Sequence, residues 1–89
     1  MPCYLVSYDL CNRDHDYSAL YQTLESFPNW ARPMESAWFV VSNLKPTVLR
    51  EKLASTVDPQ DKILIVKASK KIAWNGIPNC MSTWMGRYL

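Results

Sequence analysis

The order of hydrophobic patterns along the 89 residues predicts a single α+β domain, an antiparallel sheet with helices packed on one face. Three observations carry this. Strand-like alternation of period two appears at the start, middle and late part of the chain. Two stretches with helical spacing lie between those strands. The turn-forming residues Pro28-Asn29 and Asp58-Pro59 fall at the changes of pattern. A chain that is 48% hydrophobic and 20% charged has the composition of a globular domain.

The first strand is YLVSYDL. Tyr4, Val6, Tyr8 and Leu10 point to one face, which is expected to lie under helices. Cys3, Leu5, Ser7 and Asp9 point to the other. DYSALYQTLESF follows as a helix, because Tyr17, Leu20, Tyr21, Leu24 and Phe27 form one apolar stripe. Asp14 or Asp16 suits its first turn as a cap. ARPMESAWFVVSN reads as one long strand, bent or bulged near Glu35 and Ser36 so that it counts as one strand or as two short ones, since nothing between Pro33 and Val41 has the chemistry of a hairpin turn. Arg32-Pro33 places its start at a sheet edge.

LKPTVLREKLAST is the second helix. Pro46 stands at its first position, Leu44 staples onto Leu49, and Val48, Leu49 and Leu53 make the apolar stripe. KILIVKAS is a strand apolar on both faces, expected to be central or covered by a partner. KKIAWNGIP suggests a short edge strand before an Asn75-Gly76 turn, and Met81, Trp84, Met85 and Tyr88 give a terminal helix. The resulting order is that of a ferredoxin-like βαββαβ sandwich over residues 3–68, followed by a C-terminal extension over 69–89. One sheet face is then left bare. Two copies stacked sheet to sheet would cover it, which predicts a homodimer.

Composition removes several chemistries. The only glycines, Gly76 and Gly86, lie near the end, so no glycine-rich phosphate loop is encoded. A single histidine, His15, and the absence of GxSxG or HExxH argue against a triad or a zinc protease. Cys3, Cys11 and Cys80 form no CxxC pair. No apolar run reaches the roughly 20 residues of a membrane span, and the start does not read as a signal peptide, so the expected location is the cytoplasm. Charge is uneven: residues 1–44 carry −3 and residues 45–89 carry +5. A basic half beside an acidic strand end suits a polyanion with a metal ion.

Asp9 is the candidate for both catalysis and metal binding. A strand-end carboxylate can hold Mg²⁺, which keeps several waters and takes one or two protein carboxylates. In a two-fold dimer, a pair of Asp9 residues would supply both. The plainer reading is a solvated strand end. Arg50, Lys62, Lys67, Lys70 and Lys71 are candidate nucleic-acid contacts, although lysines also guard sheet edges. The tryptophans Trp30, Trp38, Trp74 and Trp84 suit either base stacking or core packing. The trio Asp14, His15 and Asp16 reads as helix-cap chemistry on a wet loop.

YLVSYDL with its polar loop and helix resembles the opening of the CRISPR-associated Cas-two proteins, where a strand ending in Tyr-Asp precedes the first helix. MESAWFVVSN is similar to that family's second strand, and DKILIVKAS to its late central strand. The virulence-associated protein D toxins share the architecture. The resemblance covers about residues 3–68. It implies a ferredoxin-like homodimer with a metal-dependent nuclease role for Asp9, or a structural role in clamping DNA. Ser36 matches the family's second-strand serine. The chain departs from the family in its Trp74-Asn75-Gly76 tail and in a first-helix region that offers Tyr17, Gln22 and Glu25 in place of arginines. A stand-alone relative from a phage or mobile element fits as well as a CRISPR-locus protein. Two functions follow: a Mg²⁺-dependent endonuclease acting on RNA or DNA, or a non-catalytic dimeric adaptor that binds nucleic acid or a protein partner through the same fold.

Overall fold

In the computed structural model, which describes residues 1–12 and 14–89, the elements are β1 (Cys3–Asp9), α1 (Ser18–Glu25), β2 (Trp30–Met34), β3 (Ala37–Val41), α2 (Pro46–Ala54), β4 (Lys62–Lys67) and α3 (Asn79–Tyr88). The four strands form one antiparallel sheet in the order β2-β3-β1-β4. No helix among the described residues is long and apolar enough to cross a membrane.

The period-two pattern of β1 places its residues as expected. Tyr4, Val6 and Tyr8 join Trp38 and Val40 of β3 on one face, where Leu20, Leu24, Phe27, Leu49 and Leu53 from the helical region close the main core. Pro46 occupies the first turn of α2, where its missing N–H is no loss. Leu44 packs against the core that holds Leu49. Val48 departs from the expected stripe and is exposed, because α2 rests on the sheet through Leu49 and Leu53 alone.

Four expectations are corrected. The middle segment is a hairpin, with Met34 opposite Ala37 across a turn at Glu35-Ser36. No non-glycine residue described has a positive φ, so this turn lacks the primed geometry that Asn-Gly or Asp-Gly would have signalled. Other elements hold it. The Tyr8 hydroxyl donates to the Glu35 carbonyl at 2.8 Å, and the Tyr8 N–H donates to the Ser36 carbonyl at 3.0 Å. The expected irregularity lies just before the turn, where Arg32 and Pro33 stand opposite the single Trp38 as a bulge on an edge strand.

β4 is an edge strand, not a central one. β1 takes the central place between β3 and β4, so only Ile63 and Ile65 of β4 reach the core, and Leu64 and Val66 face outward. The extension contains no strand before its turn at Gly76, whose φ is +77°.

The second sheet face is not bare. α3 and the segment before it fold back over it: Met85, Met81, Trp84, Tyr88, Ile72 and Ile77 pack with Cys3, Leu5, Phe39 and Val41. The Tyr88 hydroxyl donates to Asn29 Oδ1 at 2.8 Å and ties α3 to the start of β2. Sheet-to-sheet stacking of two copies over that half would meet the chain's own helix. What stays open is the strip of Ser7, Asp9, Leu64 and Val66.

Candidate functional site

The C-terminal end of β1 opens into a polar cleft of about 500 Å³ lined by Tyr8, Asp9, Leu10, Tyr21, Arg32, Glu35 and Ser36. Three elements build it. Strand β1 delivers Tyr8 and Asp9, the β2–β3 turn delivers Glu35 and Ser36, and α1 supplies Tyr21. The ladder between the Tyr8 N–H and the Ser36 carbonyl carries the turn up to Asp9, so the two positions singled out by the family resemblance share one cleft.

Arg32, absent from the candidates read from sequence, is the cation of this cleft. Its Nε and Nη2 donate to the Glu35 carbonyl at 3.2 and 2.8 Å. Its guanidinium carbon lies 4.9 Å from the Tyr21 ring centre and 5.0 Å from that of Trp38. These contacts fix the plane of the guanidinium while using only part of its five-donor fork. Below it, Trp38 Nε1 donates to the Tyr8 hydroxyl at 3.0 Å. Burial raises the pKa of Tyr8, and the Trp38 hydrogen bond and the charge of Arg32 work against that rise. The signal for Arg32 in the sequence was weak: it is one of only two cations in residues 1–44, and it precedes a proline within a strand pattern.

The other candidates are spread out. Lys62 stands opposite Asp9 in the β1–β4 ladder. Lys67 lies at the far end of β4, opposite Tyr4 and about 17 Å along the strand from Lys62. Arg50 lines shallow grooves between α2 and β4, and Lys70 lines an apolar groove beside Trp74 and α3. Lys71 is exposed in the extension. Apart from Lys62, the basic set therefore does not converge on Asp9. Two of the tryptophans serve packing: Trp38 is buried, and Trp84 stacks between Phe39 and Tyr88.

A second polar cluster was also missed. Asp61 Oδ1 accepts from the Cys11 N–H at 2.8 Å and from its thiol at 3.3 Å, while Oδ2 accepts from the Tyr17 hydroxyl at 2.7 Å and the Asp58 N–H at 2.9 Å. Asn12 Nδ2 donates to Asp58 Oδ2 at 2.9 Å, and His15 Nε2 lies 3.2 Å from the Thr56 carbonyl. This network pins the loop after β1 to the loop before β4. The trio 14–16 is thus split: Asp16 accepts from the Ser18 N–H at the start of α1, and His15 reaches the end of α2. Loss of water around Asp61 would raise its pKa, but the four donors outweigh this and hold it down to about 2. Tyr17 is pushed up to about 12, first by loss of water and then by its bond to Asp61.

A folded-state pKa below the ordinary 3.8 means that the contribution of Asp61 is fully present above pH 3.8 and is lost as pH falls toward 2. Asp61→Asn removes the charge and part of the acceptor capacity. The variant should be less stable than the natural chain at neutral pH, and the two should converge as pH falls through that window, read by urea denaturation at a series of pH values. A constant gap down to pH 2 would assign the effect to something other than the carboxylate.

Among the described residues, no group of three or more His, Cys, Asp or Glu is arranged to hold a metal ion. The residues lining the cleft carry the Asp9 and Glu35 carboxylates and the Ser36, Tyr8 and Tyr21 hydroxyls, and the two carboxylates are hard oxygen groups of the type Mg²⁺ takes beside its own waters. No protein-family model matches the chain, and no curated protein matches it significantly.

Proposed function

We propose that the chain is a Cas-two-like, ferredoxin-like protein that binds nucleic acid as a homodimer in the cytoplasm and hydrolyses phosphodiesters with Mg²⁺ held at Asp9. The observation that carries this reading is the convergence of Asp9, Ser36 and Arg32 on one cleft. A four-stranded antiparallel sheet in the order β2-β3-β1-β4, with α1 and α2 packed on one face, supports the fold part of the reading.

In this reading Arg32 receives a phosphate group through its unused donors, in the planar geometry that suits phosphate. Tyr21 backs the guanidinium and limits its rotation. Ser36 and the turn carbonyls orient the bound strand, and Lys62 beside Asp9 adds a further contact to the backbone. Asp9, with Glu35 across the cleft, would hold the ion, which supplies a polarised phosphoryl oxygen and an activated water. Arg50, Lys67, Lys70 and Lys71 extend the positive surface away from the cleft and add affinity that falls with salt.

The second reading is the non-catalytic adaptor. It is favoured by the scatter of the basic residues and by the open Leu64 and Val66, which suit a partner more than a substrate.

The two separate when labelled RNA and DNA are incubated with the protein in Mg²⁺ and in EDTA, beside Asp9→Ala. The catalytic reading expects cleavage that needs Mg²⁺ and falls by about 100-fold or more in Asp9→Ala, with binding retained. Cleavage that persists unchanged in the variant sinks it. Failure to bind either nucleic acid at low salt sinks both nucleic-acid readings and leaves a protein-binding role.

A further inference from the structure

We infer that Trp30 is the base-stacking residue of this chain, and that Trp30 and Arg32 together form a subsite for one unpaired nucleotide, with its phosphate on Arg32 and its base on Trp30. The subsite rests on the nucleic-acid binding proposed above and needs neither the metal nor cleavage.

Trp30 and Arg32 lie two residues apart on the edge strand β2, and both lean on Trp38 from the same face of the sheet. The ring centres of Trp30 and Trp38 are 5.2 Å apart, and the Arg32 guanidinium carbon is 5.0 Å from the Trp38 ring centre. Trp38 itself is buried and can take no ligand, whereas Trp30 keeps 38% of its surface exposed. Packing on Trp38 accounts for one part of the Trp30 ring and leaves the rest open to a second aromatic plane. The other tryptophans are differently placed. Trp84 is stacked between Phe39 and Tyr88, and Trp74 lines the groove beside Met85 on the opposite face, with its Nε1 donating to Ser82 Oγ at 3.1 Å. Only Trp30 combines an open ring with a cation of the Asp9 cleft.

The chemistry of the pair selects a nucleotide. The bonds from Arg32 to the Glu35 carbonyl use Nε and Nη2, and neither uses Nη1. The planar edge of a guanidinium suits phosphate, and the face of an indole accepts any base. Two residues of strand separate the groups by about 7 Å, a span of the order of one nucleotide. From Trp30 the path runs over Arg32 into the cleft that holds Asp9 and Ser36, and Lys62 stands beside Asp9 beyond it. A base held on Trp30 therefore sets which phosphodiester is offered to the cleft. A base that is paired and stacked within a duplex cannot reach the ring, so the subsite takes a nucleotide from an unpaired segment or end.

The test is run in EDTA, which keeps it apart from the cleavage assay. Fluorescence anisotropy follows binding of an end-labelled oligothymidylate of about ten nucleotides, and of an abasic strand of the same length. Trp30→Ala should bind the oligothymidylate about 10-fold or more weakly and the abasic strand with unchanged affinity. Unchanged binding of the abasic strand also shows that the variant is folded. Trp30→Phe keeps a ring and should stay within about 3-fold of the natural chain on both strands. Arg32→Gln should weaken both strands alike and lower the salt dependence by about one phosphate contact. Equal losses on both strands in Trp30→Ala would give Trp30 a packing role, and no loss on either would leave it without a role in binding. Each of these results overturns the subsite while the nucleic-acid reading stands. Failure of the natural chain to bind either strand at low salt overturns both.

Discussion

Replacing Trp38 with alanine is expected to cost the fold about 3–5 kcal/mol, the range for deleting a large buried aromatic. Trp38 is 1% exposed and lies in the main core between the sheet and the helices. Its ring stacks near Tyr21 and Trp30 and backs the guanidinium of Arg32. Its Nε1 donates to the Tyr8 hydroxyl, which in turn holds the β2–β3 turn. Small domains have only about 5–15 kcal/mol of stability in all, so the variant should be partly unfolded at room temperature. Trp38→Phe separates the contributions. It keeps most of the apolar volume and removes the donor to Tyr8, and should cost about 1–2 kcal/mol less than the alanine variant. Urea denaturation of the three proteins gives the comparison. Equal losses in both variants would mean that the hydrogen bond to Tyr8, and not the packing, dominates.

Met85→Ala should loosen the other face of the sheet. Met85 is 2% exposed against Cys3, Phe39 and Val41, and truncating a buried methionine costs about 2–5 kcal/mol. α3 is attached through a stretch with no regular structure between β4 and Asn79, so it can lift while the sheet stays folded. The loss in global stability is then limited to the energy of docking, and the change should appear as local opening. Cys3 reports on it directly. Burial pushes its thiol up to about 11, which suppresses the reactive thiolate. In a Cys11→Ser, Cys80→Ser background, Met85→Ala should speed modification of Cys3 by a thiol reagent, while amide exchange in β1 and β3 stays slow. Faster exchange throughout the sheet would show that α3 and the sheet unfold as one unit.

The residues that alternate or repeat at helical spacing were legible because burial on one face is written into a short window of sequence. Tyr4, Val6 and Tyr8 on one side of β1, and Leu20, Leu24, Leu49 and Leu53 on the helices, lie in the core as their spacing predicts. Pro46 marked the start of α2, and the spacing of Met81, Trp84, Met85 and Tyr88 marked α3. Asp9 was visible as a carboxylate at a strand end. Its cleft was not, because Arg32 and Glu35 come from the hairpin and Tyr21 from α1, and only folding brings them to the same place. Asp61 was invisible for the same reason: its donors Cys11 and Tyr17 lie 50 and 44 residues away.

The hairpin at Glu35-Ser36 shows where local chemistry stops. Its turn has no positive φ to demand glycine or asparagine, and it closes because Tyr8 and Arg32 bind its carbonyls. KILIVKAS is the same case at a larger scale. An apolar run states that a strand can be covered on both faces, but its neighbours decide whether it is. Here β1 takes the centre, α3 stops short of Leu64 and Val66, and a strand that reads as central stands at the edge. Amino-acid order alone settled β1, β4, the three helices and most of their apolar faces, since these follow from contacts a few residues apart, but not the split of the middle segment, the strandless KKIAWNGIP or the exposed Val48. Strand order, the folding back of α3 and the grouping of Asp9 with Arg32 were settled only by the tertiary structure, because each depends on which distant surfaces compete to cover the same sheet.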